Sequence, residues 1–94
     1  MRKKIVAGNW KMNNDLAETE MFLVELKKQV FPENVVVIIA PPFTNLNHTF
    51  RSFREHPVMI AAQNMHQSDD GAFTGEISAR MLKSVGANTV ILGH

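Results

Sequence analysis

The feature that most constrains the fold is a run of six apolar residues, Val35–Ala40, without any alternation of apolar and polar side chains. A strand with one face in water alternates, whereas a strand that is covered on both faces is apolar throughout. The run is therefore typical of a buried strand in a parallel sheet. Pro41 and Pro42 follow directly and end the strand, because proline has no backbone N–H to donate.

Three further apolar stretches, residues 4–8, 58–62 and 89–93, predict three more strands. Apolar residues at helical spacing lie between each strand and the next. The chain therefore has the order β-α-β-α-β-α-β. This alternation places it in the α/β class, with a parallel sheet and right-handed crossovers.

The predicted helices have marked ends. Asp15, three residues before Glu18, predicts a capping box for a first helix of about four turns that ends at Pro32. Thr44 is predicted to cap the second helix, and Gly86 to follow the third as its C′ residue. The apolar faces of the three helices consist, in order, of Leu16, Leu23, Leu26 and Val30; Leu46, Phe50 and Phe53; and Ile77, Met81, Leu82 and Val85.

Composition excludes several classes of protein. Ninety-four residues make at most one small domain, and a net charge of +1 gives no field for nucleic acid or an anionic membrane. The absence of cysteine excludes disulfides and thiolate metal sites. The longest apolar run, residues 35–42, is too short to span a bilayer, and no signal-peptide pattern opens the chain. We therefore expect a cytoplasmic protein without nucleic-acid or membrane partners.

Polar side chains stand at the carboxyl ends of two predicted strands, where parallel α/β proteins place their sites. Asn9 and Lys11 follow the first strand, and His94 follows the last. An amide and an ammonium that converge would bind an anion, and a histidine there would serve as acid, base or electrophile. The alternative interpretations are a turn with an exposed lysine and an exposed histidine. Trp10 is interpreted as a packing residue.

Other features predict less chemistry. His48, His56 and His66 lack partners at metal-ligand spacing, and the sequence has no phosphate loop or dinucleotide motif, so no metal or cofactor is expected. A long polar loop, starting at residue 65, carries Phe73 near its tip, which suggests a surface for docking.

Four parallel strands with three helices leave both sheet edges unpaired and one face open to water. The apolar residues that we expect on that inner face include Val37, Ile39, Ile60 and Ile91. The chain is therefore expected to be part of a larger fold.

Four stretches, in order along the chain, carry a resemblance to a known family: residues 7–12 (Ala-Gly-Asn-Trp-Lys-Met), 62–64 (Ala-Gln-Asn), 71–78 (Gly-Ala-Phe-Thr-Gly-Glu-Ile-Ser) and 90–94 (Val-Ile-Leu-Gly-His). Together they closely resemble the triosephosphate isomerase family. The resemblance implies a (β/α)8 TIM barrel, a fold of about 250 residues. Residues 1–94 would be the amino-terminal part of a single TIM-barrel domain and supply its first three and a half βα units.

The resemblance also implies an activity. The family interconverts dihydroxyacetone phosphate and glyceraldehyde 3-phosphate through an enediol(ate), a step of glycolysis and gluconeogenesis that needs no cofactor and no metal. Lys11 would contact the substrate phosphate and the developing enediolate, and Asn9 would help to bind the substrate. His94 would be the catalytic electrophile that moves protons between the two oxygens.

A homodimer is implied as well, formed through the third loop, at about residues 65–78. Its interface would contain Asn64, Phe73, Thr74, Gly75 and Glu76, with Thr74 supporting the region of Asn9 and Lys11 in the neighbouring subunit.

The family's catalytic glutamate, its closing loop and its glycine-rich phosphate loops have no counterpart in residues 1–94, so this segment alone is expected to be inactive. Two alternatives remain: a non-catalytic structural fragment that associates with itself or with a complementary chain, and another phosphate-binding barrel enzyme.

Overall fold

A computed structural model describes residues 2–94. Its elements alternate as predicted: β1 (Lys4–Asn9), α1 (Leu16–Lys27), β2 (Val35–Ala40), α2 (Phe43–Ser52), β3 (Met59–Ala62), α3 (Ala79–Ser84) and β4 (Thr89–Val90). The four strands are parallel and lie in the order β1-β2-β3-β4. Each helix therefore connects two neighbouring parallel strands, which is the repeating unit of a β/α barrel.

The strands decrease in length along the sheet. β1 pairs with β2 over six residues, from Lys4 opposite Val35 to Asn9 opposite Ala40. β4 is shorter than the predicted 89–93, because its partner β3 ends at Ala62 and offers nothing further to pair with. One more ladder bond follows, in which the Ile91 N–H donates to the Ala62 carbonyl at 2.9 Å.

The start of α1 is set by the predicted capping box. The Glu18 N–H donates to Asp15 Oδ1 at 2.9 Å, and the Asp15 N–H donates to Glu18 Oε1 at 3.1 Å. Such a cap stabilises a helix by about 0.5–2 kcal/mol. The predicted end at Pro32 is wrong, since α1 ends at Lys27 and Val30 is 94% exposed. The N–H groups of the next two residues bond to carbonyls three residues back, which tightens and closes the last turn.

The second helix begins two residues before the start that a Thr44 cap predicted. Pro42 occupies the N-cap position of α2 with φ at −56°, and no side chain of the described residues 2–94 caps the helix. Thr44 lies inside the first turn, so its predicted capping role is wrong. The fixed φ of proline favours the first turn of a helix without a side-chain cap. The Asn45 N–H donates to the Pro42 carbonyl at 2.9 Å and closes that turn.

The third helix is short and has defined ends. Ser78 Oγ accepts the Met81 N–H at 3.2 Å at its start. Gly86 follows it with φ at +98°, as the C′ prediction required. Leu82 is buried, but Met81 is 45% exposed, so its predicted place on the apolar face is wrong.

All three helices pack on one face of the sheet. Leu23 of α1, Leu46 of α2 and Leu82 of α3 lie in one cluster with Ile39 and Ile60, and each is at most 7% exposed. Burying a side chain of this size stabilises a fold by about 1.5–3 kcal/mol.

The predicted inner-face positions of three strand residues are wrong. Ile39 and Ile60 belong to the cluster between helices and sheet, and Val37 packs against it. Since successive strand residues point to opposite faces, Ile38 and Met59, which pair with each other, form part of the other face.

The face turned away from the helices carries Asn9. Ala7 pairs with Ile38, and Asn9 lies two residues further along β1 on that same face. Ile5, also on this face, is 66% exposed, and Met59 is 44% exposed. In a closed barrel this face is the interior, and Asn9 stands at its carboxyl end, where active sites of the fold lie.

Candidate functional site

The candidate site is the loop between β1 and α1, residues 10–15. The Trp10 N–H donates to the Ala40 carbonyl at 3.1 Å and extends the sheet by one bond. The chain then turns sharply, because Lys11 has φ at +55°. The left-handed conformation costs a non-glycine residue roughly 1–2 kcal/mol and persists where the surroundings impose it.

Two side-chain amides fix the peptide groups on both sides of Lys11. Asn9 Oδ1 accepts the Lys11 N–H at 2.9 Å. Gln63 Nε2, just beyond β3, donates to the Lys11 carbonyl at 2.9 Å and to the Ala40 carbonyl at 2.7 Å. With its backbone held by these bonds, Lys11 presents an exposed side chain at the carboxyl edge of the sheet.

Two more amides hold the second half of the loop. Asn13 Nδ2 donates to the Trp10 carbonyl at 2.8 Å. Asn45 Nδ2, from the first turn of α2, donates to the carbonyl of Asn14 at 2.8 Å. Asn14 is the second left-handed residue of the loop, with φ at +75°. The loop is therefore held by two nearby and two distant amides, and its conformation depends on both β3 and α2.

Trp10 is a packing residue, as expected. Its ring meets that of Phe22 edge to face, with 5.0 Å between the centroids, and it packs against the core cluster. Aromatic pairs of this geometry contribute roughly 0.5–1.5 kcal/mol beyond their buried area. The contact fixes the loop to α1.

The structure brings Asn9 and Lys11 together and keeps His94 apart from them. His94 is exposed and lies beyond β4, at the opposite edge of the sheet from β1. In the part of the chain that the structure describes, no hydrogen bond or ion pair joins His94 to either residue. Three strand spacings place the ends of β1 and β4 roughly 14 Å apart along the sheet.

The loop that follows β3 is internally bonded. His66 donates its N–H to the Ile77 carbonyl at 2.7 Å, and His66 Nδ1 accepts the Ser68 N–H at 3.1 Å. The His66 ring also stacks on Phe73, with 4.1 Å between the centroids. His66 is therefore half-buried against its own loop.

The predicted interface residues lie together on the exposed side of that loop. Phe73, Thr74, Gly75 and Glu76 are all exposed, with Phe73 at 46% despite its contact with His66. Asn64 Nδ2 donates to Glu76 Oε2 at 3.2 Å, which connects the two ends of the loop. The tip therefore presents an apolar ring beside a small hydroxyl side chain.

Residues 2–94 contain neither a metal-binding cluster nor a membrane-spanning helix. No group of three histidine, aspartate or glutamate side chains there is arranged to hold a metal ion. None of the helices in that range has the length and the apolar character needed to cross a bilayer.

Sequence reasoning did not assign roles to two residues of this site, Gln63 and Asn45. Gln63 directly follows a buried strand, which is the same signal that identified Asn9. Asn45 and Thr49 are one helical turn apart, beside the apolar positions of α2, and both are at most 1% exposed. Polar residues at helical spacing on a buried face are the pattern that would have indicated a bonded amide.

A parallel β/α sheet with helices on one face and polar loops at its carboxyl edge defines a protein of the β/α-barrel class. The family model "Triosephosphate isomerase" matches residues 4–94. The chain is 56% identical over 95 residues to triosephosphate isomerase of Flavobacterium psychrophilum and 53% identical over 95 residues to that of Flavobacterium johnsoniae. The enzyme of Alkaliphilus metalliredigens is 47% identical over 94 residues. The chain belongs to the triosephosphate isomerase family, whose fold is the TIM barrel.

All three alignments cover 100% of the chain and 38% of the relative. The chain therefore spans somewhat over a third of the length of the curated relatives that it matches.

Proposed function

We propose that residues 1–94 are the amino-terminal part of a single TIM-barrel domain that has triosephosphate isomerase activity. The complete enzyme would interconvert dihydroxyacetone phosphate and glyceraldehyde 3-phosphate through an enediol(ate), without a metal or cofactor. It would serve glycolysis and gluconeogenesis in the cytoplasm. Membership of the family and the parallel sheet, with open edges at β1 and β4, support this proposal.

The observation that carries the proposal is the left-handed conformation of Lys11, held between the amides of Asn9 and Gln63. Strained residues of this kind cluster at ligand-binding and active sites. The Lys11 ammonium would bind the substrate phosphate and stabilise the negative charge that develops on the enediolate. Asn9 uses its Oδ1 on the Lys11 backbone, which leaves its amide N–H groups to bind the substrate.

His94 is proposed as the catalytic electrophile. An imidazole beyond β4 would donate a hydrogen bond to the substrate carbonyl and move a proton between the two oxygens of the enediolate. The substrate would then bridge the carboxyl ends of β1 and β4. Removal of the carbon-bound proton requires a base, and the family supplies a glutamate that has no counterpart in residues 1–94.

The proposed active form is a homodimer, assembled through the loop at about residues 65–78. Its exposed tip, with Phe73 and Thr74, would insert into the partner, while Asn64, Gly75 and Glu76 complete the interface. An aromatic ring that is 46% exposed on a loop held by its own hydrogen bonds supports a docking role.

The test of the activity is Lys11→Met in the complete enzyme, measured with a coupled assay for isomerisation in both directions. Loss of one preorganised electrostatic group lowers kcat roughly 10²–10³-fold, and the KM for the phosphorylated substrate should also rise. Lys3→Met, which removes an exposed ammonium at the amino end of β1, is the matched control and should behave as wild type. Unchanged kinetics in Lys11→Met would refute the role of Lys11.

A second function is favoured by the uncovered sheet face. Ile5 of β1 lies on that face and is 66% exposed, and β1, whose Val6 is 56% exposed on the other face, has strand neighbours on one side only within residues 2–94. The separate 94-residue chain would then be a non-catalytic assembly fragment, which associates with copies of itself or with a complementary chain. Sedimentation of that chain tests this, and a stable monomer that does not bind a hydrophobic dye would exclude it.

A further inference from the structure

The amide of Asn45 is the most deeply buried hydrogen-bonding group of the loop network. The residue is 1% exposed, although it stands on α2 rather than in the loop itself. Burying an unpaired amide costs roughly 1–3 kcal/mol, whereas leucine at the same place would gain from burial. Its Nδ2 is satisfied by the Asn14 carbonyl at 2.8 Å, so the amide has a definite partner outside its own helix.

The acceptor of this bond, the Asn14 carbonyl, lies where the loop joins α1. Asn14 is left-handed and directly precedes Asp15, the N-cap of α1. Lys11 is left-handed at the other end of the same short segment and is held there by Gln63. Only Met12 and Asn13 lie between these two fixed points, so a shift of Asn14 would displace the peptide groups that follow Lys11.

The helical turn that carries the Asn45 side chain is held in place by its own bonds and packing. The backbone N–H of Asn45 donates to the Pro42 carbonyl, and its carbonyl accepts the Thr49 hydroxyl at 2.7 Å. Leu46, the next residue, is fully buried in the core cluster. The donor amide is therefore carried by a rigid helical turn.

From these contacts we propose that Asn45 is a positioning residue, which fixes the far end of the β1–α1 loop and thereby places the Lys11 ammonium for binding of the substrate phosphate. This role rests on the proposed function. Asn45 itself lies below the loop and contacts its backbone rather than the substrate. Its removal would therefore weaken anion binding through Lys11 while leaving the other groups of the site in place.

The experiment compares Asn45→Leu with Asn47→Leu in the complete enzyme. Asn47 lies on the same helix, and its exposed amide donates at 3.3 Å to the Val85 carbonyl, just after α3, rather than to the β1–α1 loop. The measured quantities are the KM for glyceraldehyde 3-phosphate, the inhibition constant of inorganic phosphate, and kcat per folded active site. Loss of one hydrogen bond predicts a roughly five- to tenfold rise in both KM and the inhibition constant for Asn45→Leu. Asn47→Leu should leave both unchanged.

A double-mutant cycle with Lys11→Met separates positioning from general destabilisation. If Asn45 acts through Lys11, Asn45→Leu raises the inhibition constant of phosphate in the wild-type background and has no further effect in Lys11→Met. An equal rise in both backgrounds, or no rise in wild type, overturns the positioning role. Unchanged phosphate binding in Lys11→Met alone would instead refute the proposed function.

A smaller change keeps the test decisive if Asn45→Leu does not fold. Asn45→Ser replaces the amide with a hydroxyl that is too short to reach the Asn14 carbonyl and removes little buried volume. The same cycle with Lys11→Met then decides between the two outcomes.

Discussion

Gln63 joins the candidate site to the sheet, and its replacement by methionine tests that connection. Methionine is close to glutamine in length but cannot donate a hydrogen bond. The change removes the donors to the carbonyls of Lys11 and Ala40. It leaves the backbone of β3 and the volume of the side chain nearly unchanged, so the expected effect is confined to these two bonds.

The expected loss of stability follows from the surroundings of each carbonyl. The Ala40 carbonyl keeps a second donor, the Trp10 N–H at 3.1 Å, so it is not left unsatisfied. The Lys11 carbonyl belongs to an exposed residue and can bond to water. Each bond is then worth the ordinary net value of about 0.5–1.5 kcal/mol rather than the full desolvation penalty. The sum is a destabilisation of about 1–3 kcal/mol.

Urea unfolding of the complete enzyme, followed by circular dichroism, measures this free energy. Gln29→Met is the matched control, because Gln29 is exposed just after α1, and its unfolding midpoint should stay within error of wild type. Loss of the Gln63 bonds should also raise the KM for the phosphorylated substrate, since no side chain then holds the Lys11 carbonyl. A change below about 0.5 kcal/mol with an unaltered KM would refute the view that Gln63 fixes this loop.

Three further predictions concern single positions. Within residues 2–94 the Thr19 hydroxyl is buried without a hydrogen-bond partner, so Thr19→Val should raise the free energy of unfolding by about 1 kcal/mol in a urea titration, and a loss of stability would contradict this. Gly86→Ala would place a Cβ 2.3 Å from the ring of Phe50 at a φ of +98°, and should cost about 2–5 kcal/mol in a urea titration; wild-type stability would contradict this. Thr74→Arg should convert the proposed dimer into inactive monomers in sedimentation, because it would bury an unpaired charge, whereas an active dimer would show that the loop docks elsewhere.

The order of the elements was predictable, because it depends on local patterns. The apolar run of β2 and the pairing of Asp15 with Glu18 are visible without any knowledge of the fold. The face of the sheet to which each strand side chain points was not predictable from local patterns. Every residue of Val35–Ala40 is apolar, so the sequence carries no alternation that would tell which side faces the helices.

Only part of the candidate site was predictable from the sequence. Asn9 and Lys11 were found because they follow a strand, and the carboxyl end of a parallel strand is a place for a site. The residues that hold them were missed because their contacts are distant along the chain. Gln63 is 52 residues from Lys11, and Asn45 is 31 residues from Asn14.

The same difference in sequence separation governs how the loop acquires its shape. The bonds made by Asn9 and Asn13 span two and three residues, so they can form while the rest of the chain is still unfolded. They cannot by themselves hold the loop, because two net hydrogen bonds of about 1 kcal/mol each do no more than equal the cost of the left-handed Lys11 and Asn14. The bonds from Gln63 and Asn45 add to them only after β3 and α2 have packed. A correctly placed Lys11 therefore requires a folded sheet around it, which makes the geometry of the site a consequence of the assembly of the barrel.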